Sequence, residues 1–223
     1  MATFVLVPGA WHGAWTFQSL ARGLRAHGHA AHALTLTGVG ERKHLLTGTV
    51  NLDTHLQDVL NLLEDEQITD AVLVGHSYGG MVVTGVADRV PERVSGLVYV
   101  DAVVPQDGDS CWSLVTERER AWYLDGAGRT GYSSAPLPFF DGRATPHPLA
   151  SLLQAVRLRG DLSAIDRKDY VYATGWPAPS PFEPVYRRLL ADSSWRVHAV
   201  HSGHNVMRDA PEELLSILVG SLG

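Results

Sequence analysis

This chain predicts an α/β architecture, a doubly wound and mostly parallel sheet, and three observations carry that reading. Short continuous apolar runs, Thr3–Val7, residues 71–74 and Val94–Val100 among them, have the character of strands buried on both faces. Stretches with apolar residues at helical spacing stand between them, so strands and helices alternate along the chain. One run ends abruptly in Gly75-His76-Ser77-Tyr78-Gly79, a strand-to-helix turn of the G-x-S-x-G type.

Taken in order, Thr3–Val7 is broken by Pro8-Gly9-Ala10, and Trp11-His12-Gly13-Ala14-Trp15 reads as a loop. Phe17, Leu20, Ala21 and Leu24 mark an amphipathic helix that ends near Gly28. Residues 30–36 predict a second strand and residues 37–51 a polar loop. Leu52, Leu56, Val59, Leu60 and Leu63 mark a helix with Asn51 or Asp53 as its cap. After the glycine turn, Met81, Val82, Val83, Val86 and Ala87 continue as a helix. Val94–Val100 is the next strand, closing on Asp101. From residue 103 the periodicity weakens among Pro136, Pro138, Pro146 and Pro148, so an insertion of short helices and loops is expected over about residues 104–168. Strand character returns over 169–173, followed by a helix over 184–191 and a last strand over 195–200. A loop over 201–205 precedes a terminal helix, 211–219, opened by Pro211. The 223 residues suit one domain with a large core.

Composition excludes several classes of function. The chain is 45% hydrophobic and 19% charged, a globular balance. Its formal charge of −6 is scattered, with no basic stripe for nucleic acid. Cys111 stands alone, so no internal disulfide forms, and this suits a reducing compartment. The first residues lack a basic segment followed by an apolar core, and no apolar run approaches the ~20 residues of a membrane span. The expectation is a cytoplasmic protein without a membrane partner. No histidine-cysteine cluster has metal-ligand spacing and Gly38-Val39-Gly40 is not a phosphate loop, so no metal or organic cofactor is expected. Nothing in the sequence sets the oligomeric state.

Chemistry gathers just after the expected strands, at the sheet edge where ligands bind. The glycines flanking Ser77 leave its hydroxyl in open space, as a nucleophile requires. The N–H of Tyr78, at a helix start, points at any oxyanion formed on Ser77. A serine nucleophile needs a base. Among 11 histidines, His201 and His204 follow the last strand. Asp101 ends a buried strand, where a charge is costly unless partnered, and a histidine N–H is a fitting partner. Asp169 precedes its strand and is expected at the opposite edge.

The segments Phe4-Val5-Leu6-Val7-Pro8-Gly9-Ala10-Trp11-His12-Gly13-Ala14-Trp15, residues 74–80 and Ser202-Gly203-His204 together resemble the α/β-hydrolases. Within that fold they are similar to the group of plant methyl-salicylate-type esterases and hydroxynitrile lyases, and more so to their bacterial relatives. The likeness spans nearly the whole chain and is weakest over residues 103–168, where such proteins carry a variable cap. Pro8 departs from the histidine usual in the group. The resemblance implies the α/β-hydrolase fold, His204 as the base, and backbone N–H groups of Ala10 and Tyr78 as an oxyanion hole. The acid usual to this fold would follow the 169–173 strand, where Thr174-Gly175-Trp176 offers no carboxylate. Some members take it from the preceding strand, which here ends in Asp101, with Glu183 in reserve. Trp11, His12, Trp112, Trp122, Tyr123 and Phe139 are candidates to line an apolar substrate pocket, whereas Arg42 and Lys43 read as a solvated face. The implied activity is hydrolysis of a carboxylic ester of a small apolar or aromatic substrate through an acyl-enzyme. Alternatives on the same residues are a lyase, a thioesterase or lactonase, and a non-catalytic small-molecule receptor. Gly9 and Asn205 stand where the lyases carry a hydroxyl residue and a lysine, which argues against lyase activity.

Overall fold

The structure, a computed structural model, describes residues 1–160, 162–176 and 180–220. Asp161, within the insertion, and the Pro177-Ala178-Pro179 stretch that follows the 169–173 strand lie outside the described residues. The apolar runs form β1 (Thr3–Val7), β2 (Ala30–Ala33), β3 (Ala71–His76) and β4 (Val94–Val100). A short antiparallel pair, β5 (Ser133–Ser134) and β6 (His147–Pro148), lies in the insertion. β7 (Lys168–Ala173) and β8 (Arg196–Val200) complete the strands. Six of them pair in parallel in the order β2-β1-β3-β4-β7-β8.

Helices α1 (Gln18–Ala26), α2 (Leu52–Asp65) and α3 (Gly79–Arg89) connect the first four sheet strands. The insertion carries α4 (Cys111–Leu114), α5 (Glu117–Ala127) and α6 (Leu149–Leu153). α7 (Glu183–Leu190) joins β7 to β8, and α8 (Val206–Asp209) and α9 (Pro211–Gly220) end the chain. Side chains alternate across each strand. Val5, Val7 and Leu73 face a core built with Leu56 and Val59 of α2 and Met81 and Val82 of α3. Phe4, Leu6, Val72 and Val74 face a second core with Leu20 and Leu24 of α1 and Leu214 and Leu218 of α9. Two buried faces explain why these strands read as unbroken apolar runs, each fully buried side chain contributing about 1.5–3 kcal/mol.

The differences from expectation have local causes. β2 stops at Ala33, three residues early, because it is an edge strand whose neighbour β1 gives way to Pro8. Residues 40–45 form a 3-10 turn inside the expected loop, and α8 was not expected, since so few residues show no periodicity. Lys168, assigned to the insertion from sequence, opens β7. Asn51, not Asp53, caps α2: its side chain accepts from the Thr54 N–H while Thr54 answers the Asn51 N–H. Asp169 sits inside β7 near its start, fully buried, and is met by Arg196 at 2.8 Å, His198 at 2.9 Å and Arg167 at 3.5 Å. That is the end of the strand remote from Ser77.

Candidate active site

The turn at Ser77 is built by close approach. A Cβ on Gly75 would lie 2.7 Å from the Gly79 carbonyl oxygen, and one on Gly79 would lie 2.6 Å from that of Val7. Only glycine fits at either place. Ser77 itself has φ +53°, a left-handed conformation that costs about 1–3 kcal/mol and persists where the surroundings over-determine it. The surroundings here are backbone: the Ser77 N–H donates to the Val100 carbonyl at 3.3 Å, and the Val103 N–H donates to the Ser77 carbonyl at 3.3 Å. The turn after β3 is thereby tied to the turn after β4.

Asp101 ends β4, fully buried and also with positive φ, +42°. Its Oδ2 accepts from His204 Nδ1 at 2.7 Å, and its Oδ1 accepts from the Ala173 N–H at 3.2 Å. With Nδ1–H donated to the carboxylate, the basic nitrogen of His204 is Nε2. Aromatic rings hold that imidazole on two sides. Phe182 stacks on it with centroids 5.2 Å apart and planes at 8°, and Trp176 meets it edge-on at 4.4 Å. Burial pushes the His204 imidazole below the usual histidine range and the Asp101 carboxyl above its own. His76 donates from Nε2 to the His204 carbonyl at 3.0 Å, fixing the backbone of that loop. His201 is exposed. Glu183 opens α7, partly exposed, and pairs with Arg187 at 2.6 Å. The position after β7 is closed to an acid at Gly175, whose Cβ would lie 2.8 Å from the Ser202 carbonyl oxygen.

The loop after β1 lies against the same turn. A Cβ on Gly9 would be 2.9 Å from Ser77 Cβ. Next come Ala10, whose N–H has no acceptor among the described residues, and Trp11 with φ +66°. The Tyr78 N–H likewise has none, being at the start of α3. The Tyr78 side chain points away into the core, where its hydroxyl donates to Nδ1 of buried His55 at 2.8 Å, and His55 Nε2–H donates to the Thr37 carbonyl at 2.9 Å. Tyr78→Phe is therefore expected to leave a buried acceptor unpaired and to lower stability by about 1–3 kcal/mol in urea unfolding, while kcat falls less than threefold. A collapse of kcat at full stability would place the hydroxyl itself in the chemistry.

Ser77 and His204 line one cavity of about 280 Å³. Of the residues expected there, Trp11, Trp122, Tyr123 and Phe139 line it with them. Trp112 does not: it packs beside Tyr123 and under the Arg120 guanidinium. His12 lies outside as well, packed against Trp15 and Phe140 with Nδ1–H donated to the Ala10 carbonyl at 2.7 Å. Phe140, Trp176 and Phe182 complete the aromatic wall, with Arg118, Asp141 and Arg208 also at the cavity. Sequence reasoning missed Trp176 and Phe182, although both follow β7 and so fall at the correct sheet edge. Among the described residues, no group of three or more His, Cys, Asp or Glu side chains is placed to hold a metal ion. No helix among them is long and apolar enough to cross a membrane.

Buried histidines make this region sensitive to acid. His12, His55, His76 and His147 all titrate below 6.5, burial being the largest cause in each, and His55 comes down to about 4. The unfolded chain therefore binds more protons than the folded one between pH 6.5 and the folded values. Stability is present above 6.5 and is lost as pH falls, by up to about 1.4 kcal/mol per pH unit for each histidine kept neutral. Asp101, shifted upward by burial, works in the opposite direction. Urea midpoints measured at pH 7 and pH 5.5 are expected to fall steeply with acid, and a pH-independent midpoint would contradict the buried neutral state of these rings.

With this geometry in place, comparison with known proteins defines the class. The chain belongs to the alpha/beta hydrolase family, whose model matches residues 4–217. It is 39% identical over 235 aligned residues to a carbendazim hydrolyzing esterase of Nocardioides sp. (strain SG-4G), covering 96% of this chain and 97% of that protein. A further relative, methylesterase 10 of Arabidopsis thaliana, is 34% identical over 115 residues, 51% of this chain and 42% of that one. The extracellular alpha/beta-hydrolase from a Paenibacillus species, described as sharing structural and functional homology with tobacco salicylic acid binding protein 2, has the same fold. It superimposes with a TM-score of 0.85 over 99% of each chain at 24% identity.

Proposed function

We propose that Ser77, His204 and Asp101 are the nucleophile, general base and orienting acid of this enzyme, with the N–H groups of Ala10 and Tyr78 as its oxyanion hole. The chain is a carboxylic ester hydrolase, akin over 96% of its length to an esterase. The observation that carries the residue roles is the 2.7 Å bond from His204 Nδ1 to buried Asp101, at the cavity that Ser77 also lines. Ser77 Oγ attacks the ester carbonyl carbon as its proton passes to His204 Nε2. The carbonyl oxygen, now an oxyanion, accepts from the two N–H groups. Collapse expels the alcohol, which takes the proton from Nε2 and leaves an acyl-Ser77 ester. Water then repeats the sequence, giving up its proton to Nε2 and releasing the acid. Asp101 holds the tautomer and stabilises the imidazolium.

The aromatic wall supports a small apolar or aromatic substrate, and the insertion that precedes β7 acts as a cap over it. The tight packing of Gly9 against Ser77 leaves no room for the hydroxyl residue that lyases of the resembled group carry at that position, which supports hydrolysis over lyase chemistry. The test is a hydrolysis screen of short-chain aryl esters, methyl esters of aromatic acids and carbendazim, with Ser77→Ala as the blank. Serine-dependent release of acid from at least one ester is expected. Equal rates in the enzyme and the blank would overturn the assignment.

A further inference from the structure

Trp11 is held in a strained turn largely by the insertion, the local bond being the His12 N–H donated to the Gly9 carbonyl at 3.3 Å. Its φ of +66° is a conformation bulky side chains avoid. Its backbone N–H donates to His147 Nδ1 at 3.2 Å, its carbonyl accepts from the Thr145 N–H at 3.0 Å, and its indole N–H donates to the Ser134 carbonyl at 2.9 Å. The adjoining residue is Ala10, which carries one of the two proposed oxyanion donors. The ring of His147 also packs on Tyr78, the other donor residue, with centroids 4.9 Å apart in a T-shaped contact. One imidazole thus touches the residue after Ala10 and the side chain of Tyr78 without lining the cavity that holds Ser77.

The chemistry of that imidazole is set from behind. His147 is fully buried in β6. Ser151 in α6 donates its hydroxyl proton to the Pro148 carbonyl at 2.8 Å, so its oxygen is left to accept from His147 Nε2–H at 2.9 Å. Nε2 therefore carries the proton and Nδ1 is the lone-pair acceptor that the Trp11 N–H needs. The ring also lies beside His55, itself buried, with centroids 5.6 Å apart and planes tilted by 60°.

We propose that His147 is a positioning residue for the oxyanion hole: its Nδ1 holds the Trp11 turn so that the Ala10 N–H is aimed at the carbonyl oxygen of an ester on Ser77. The proposal rests on the reading of Ala10 as an oxyanion donor. It makes the insertion part of the catalytic geometry, because the hole is complete only while residues 134–147 are seated on Trp11. Misplacing a donor by about 1 Å costs up to about 100-fold in rate, whereas Trp11 is one of many residues lining the aromatic cavity, so ground-state binding changes less.

The experiment compares His147→Leu, which removes the acceptor, with His147→Asn, whose amide oxygen takes the place of Nδ1 but cannot reach Ser151. Active sites are titrated with an aryl phosphonate, so that kcat is counted per folded serine. His147→Leu is expected to lose about 10- to 100-fold in kcat with KM within threefold. Its affinity for a trifluoromethyl ketone, which forms a hemiketal oxyanion on Ser77, is expected to fall by the same factor. His147→Asn is expected to recover most of both, although it loses as much thermal stability as His147→Leu. Ser151→Ala keeps the histidine, frees its tautomer, and is expected to lower kcat and ketone affinity about three- to tenfold. It carries the test if either histidine variant does not fold. If the folded variants keep wild-type kcat per titrated site and wild-type ketone affinity, the proposal is overturned while the esterase reading stands. If the wild-type enzyme shows no Ser77-dependent hydrolysis, the reading beneath it fails first.

Discussion

Ser77→Ala is expected to lower kcat by about 10⁶-fold with no loss of fold. The size follows from the chemistry: without Oγ there is no acyl-enzyme, and His204 has no proton to take. The intact fold follows from the structure. Ser77 is held in its left-handed turn by backbone bonds to Val100 and Val103, which alanine keeps, and the glycines that make the turn possible are neighbours rather than Ser77 itself. Circular dichroism and the urea midpoint are expected to match wild type while a serine-directed phosphonate no longer labels the protein. Retention of full esterase activity by this variant would remove Ser77 from the chemistry.

The second large effect concerns the acid. Asp101→Asn is expected to fold and to lose about 10⁴-fold in kcat, the scale found when a triad aspartate is so replaced. The structure supplies the reason here. The Ala173 N–H is a fixed donor beside one carboxylate oxygen, so the amide oxygen of asparagine turns toward it. The amide NH₂ then faces His204 Nδ1 and donates to it. That places the imidazole proton on Nε2, the nitrogen that has to accept from Ser77. Glu183→Gln, at an exposed pair with Arg187, is expected to change the rate by no more than a few-fold. A crippled Glu183→Gln beside a nearly silent Asp101→Asn would reverse the assignment. Moving the acid to Gly175 is not expected to rescue, because any side chain there meets the Ser202 backbone.

Much of this was legible because it is local. β1, β3 and β4 announce themselves as apolar runs that stop at Pro8, at the glycine turn and at Asp101, and those stops are the points where functional groups leave the sheet. A strand buried on both faces must be apolar throughout, and a chain that turns at the carboxyl edge of a parallel sheet must deliver its next residues to the site. Ser77 and Asp101, proposed as nucleophile and acid, and the Gly9–Ala10 loop were therefore singled out from spacing and resemblance alone. β2 was overextended because a lone apolar run does not reveal that its neighbour has ended.

By itself, then, the amino-acid sequence determined the parallel sheet, its order of strands and helices along the chain, and the residues that gather at one edge. The tertiary structure alone decided which side chains meet across the insertion. His147 reaches Trp11 from 136 residues away, Phe182 and Trp176 close on His204, and Trp112 and His12 turn out of the cavity that holds Ser77. Hydrophobic periodicity specifies which face of an element is buried, because burial repeats with the turn of the backbone. It carries no record of which distant polar atom will be opposite a given N–H, because that partner is set by the packing of elements whose separation along the chain has no period.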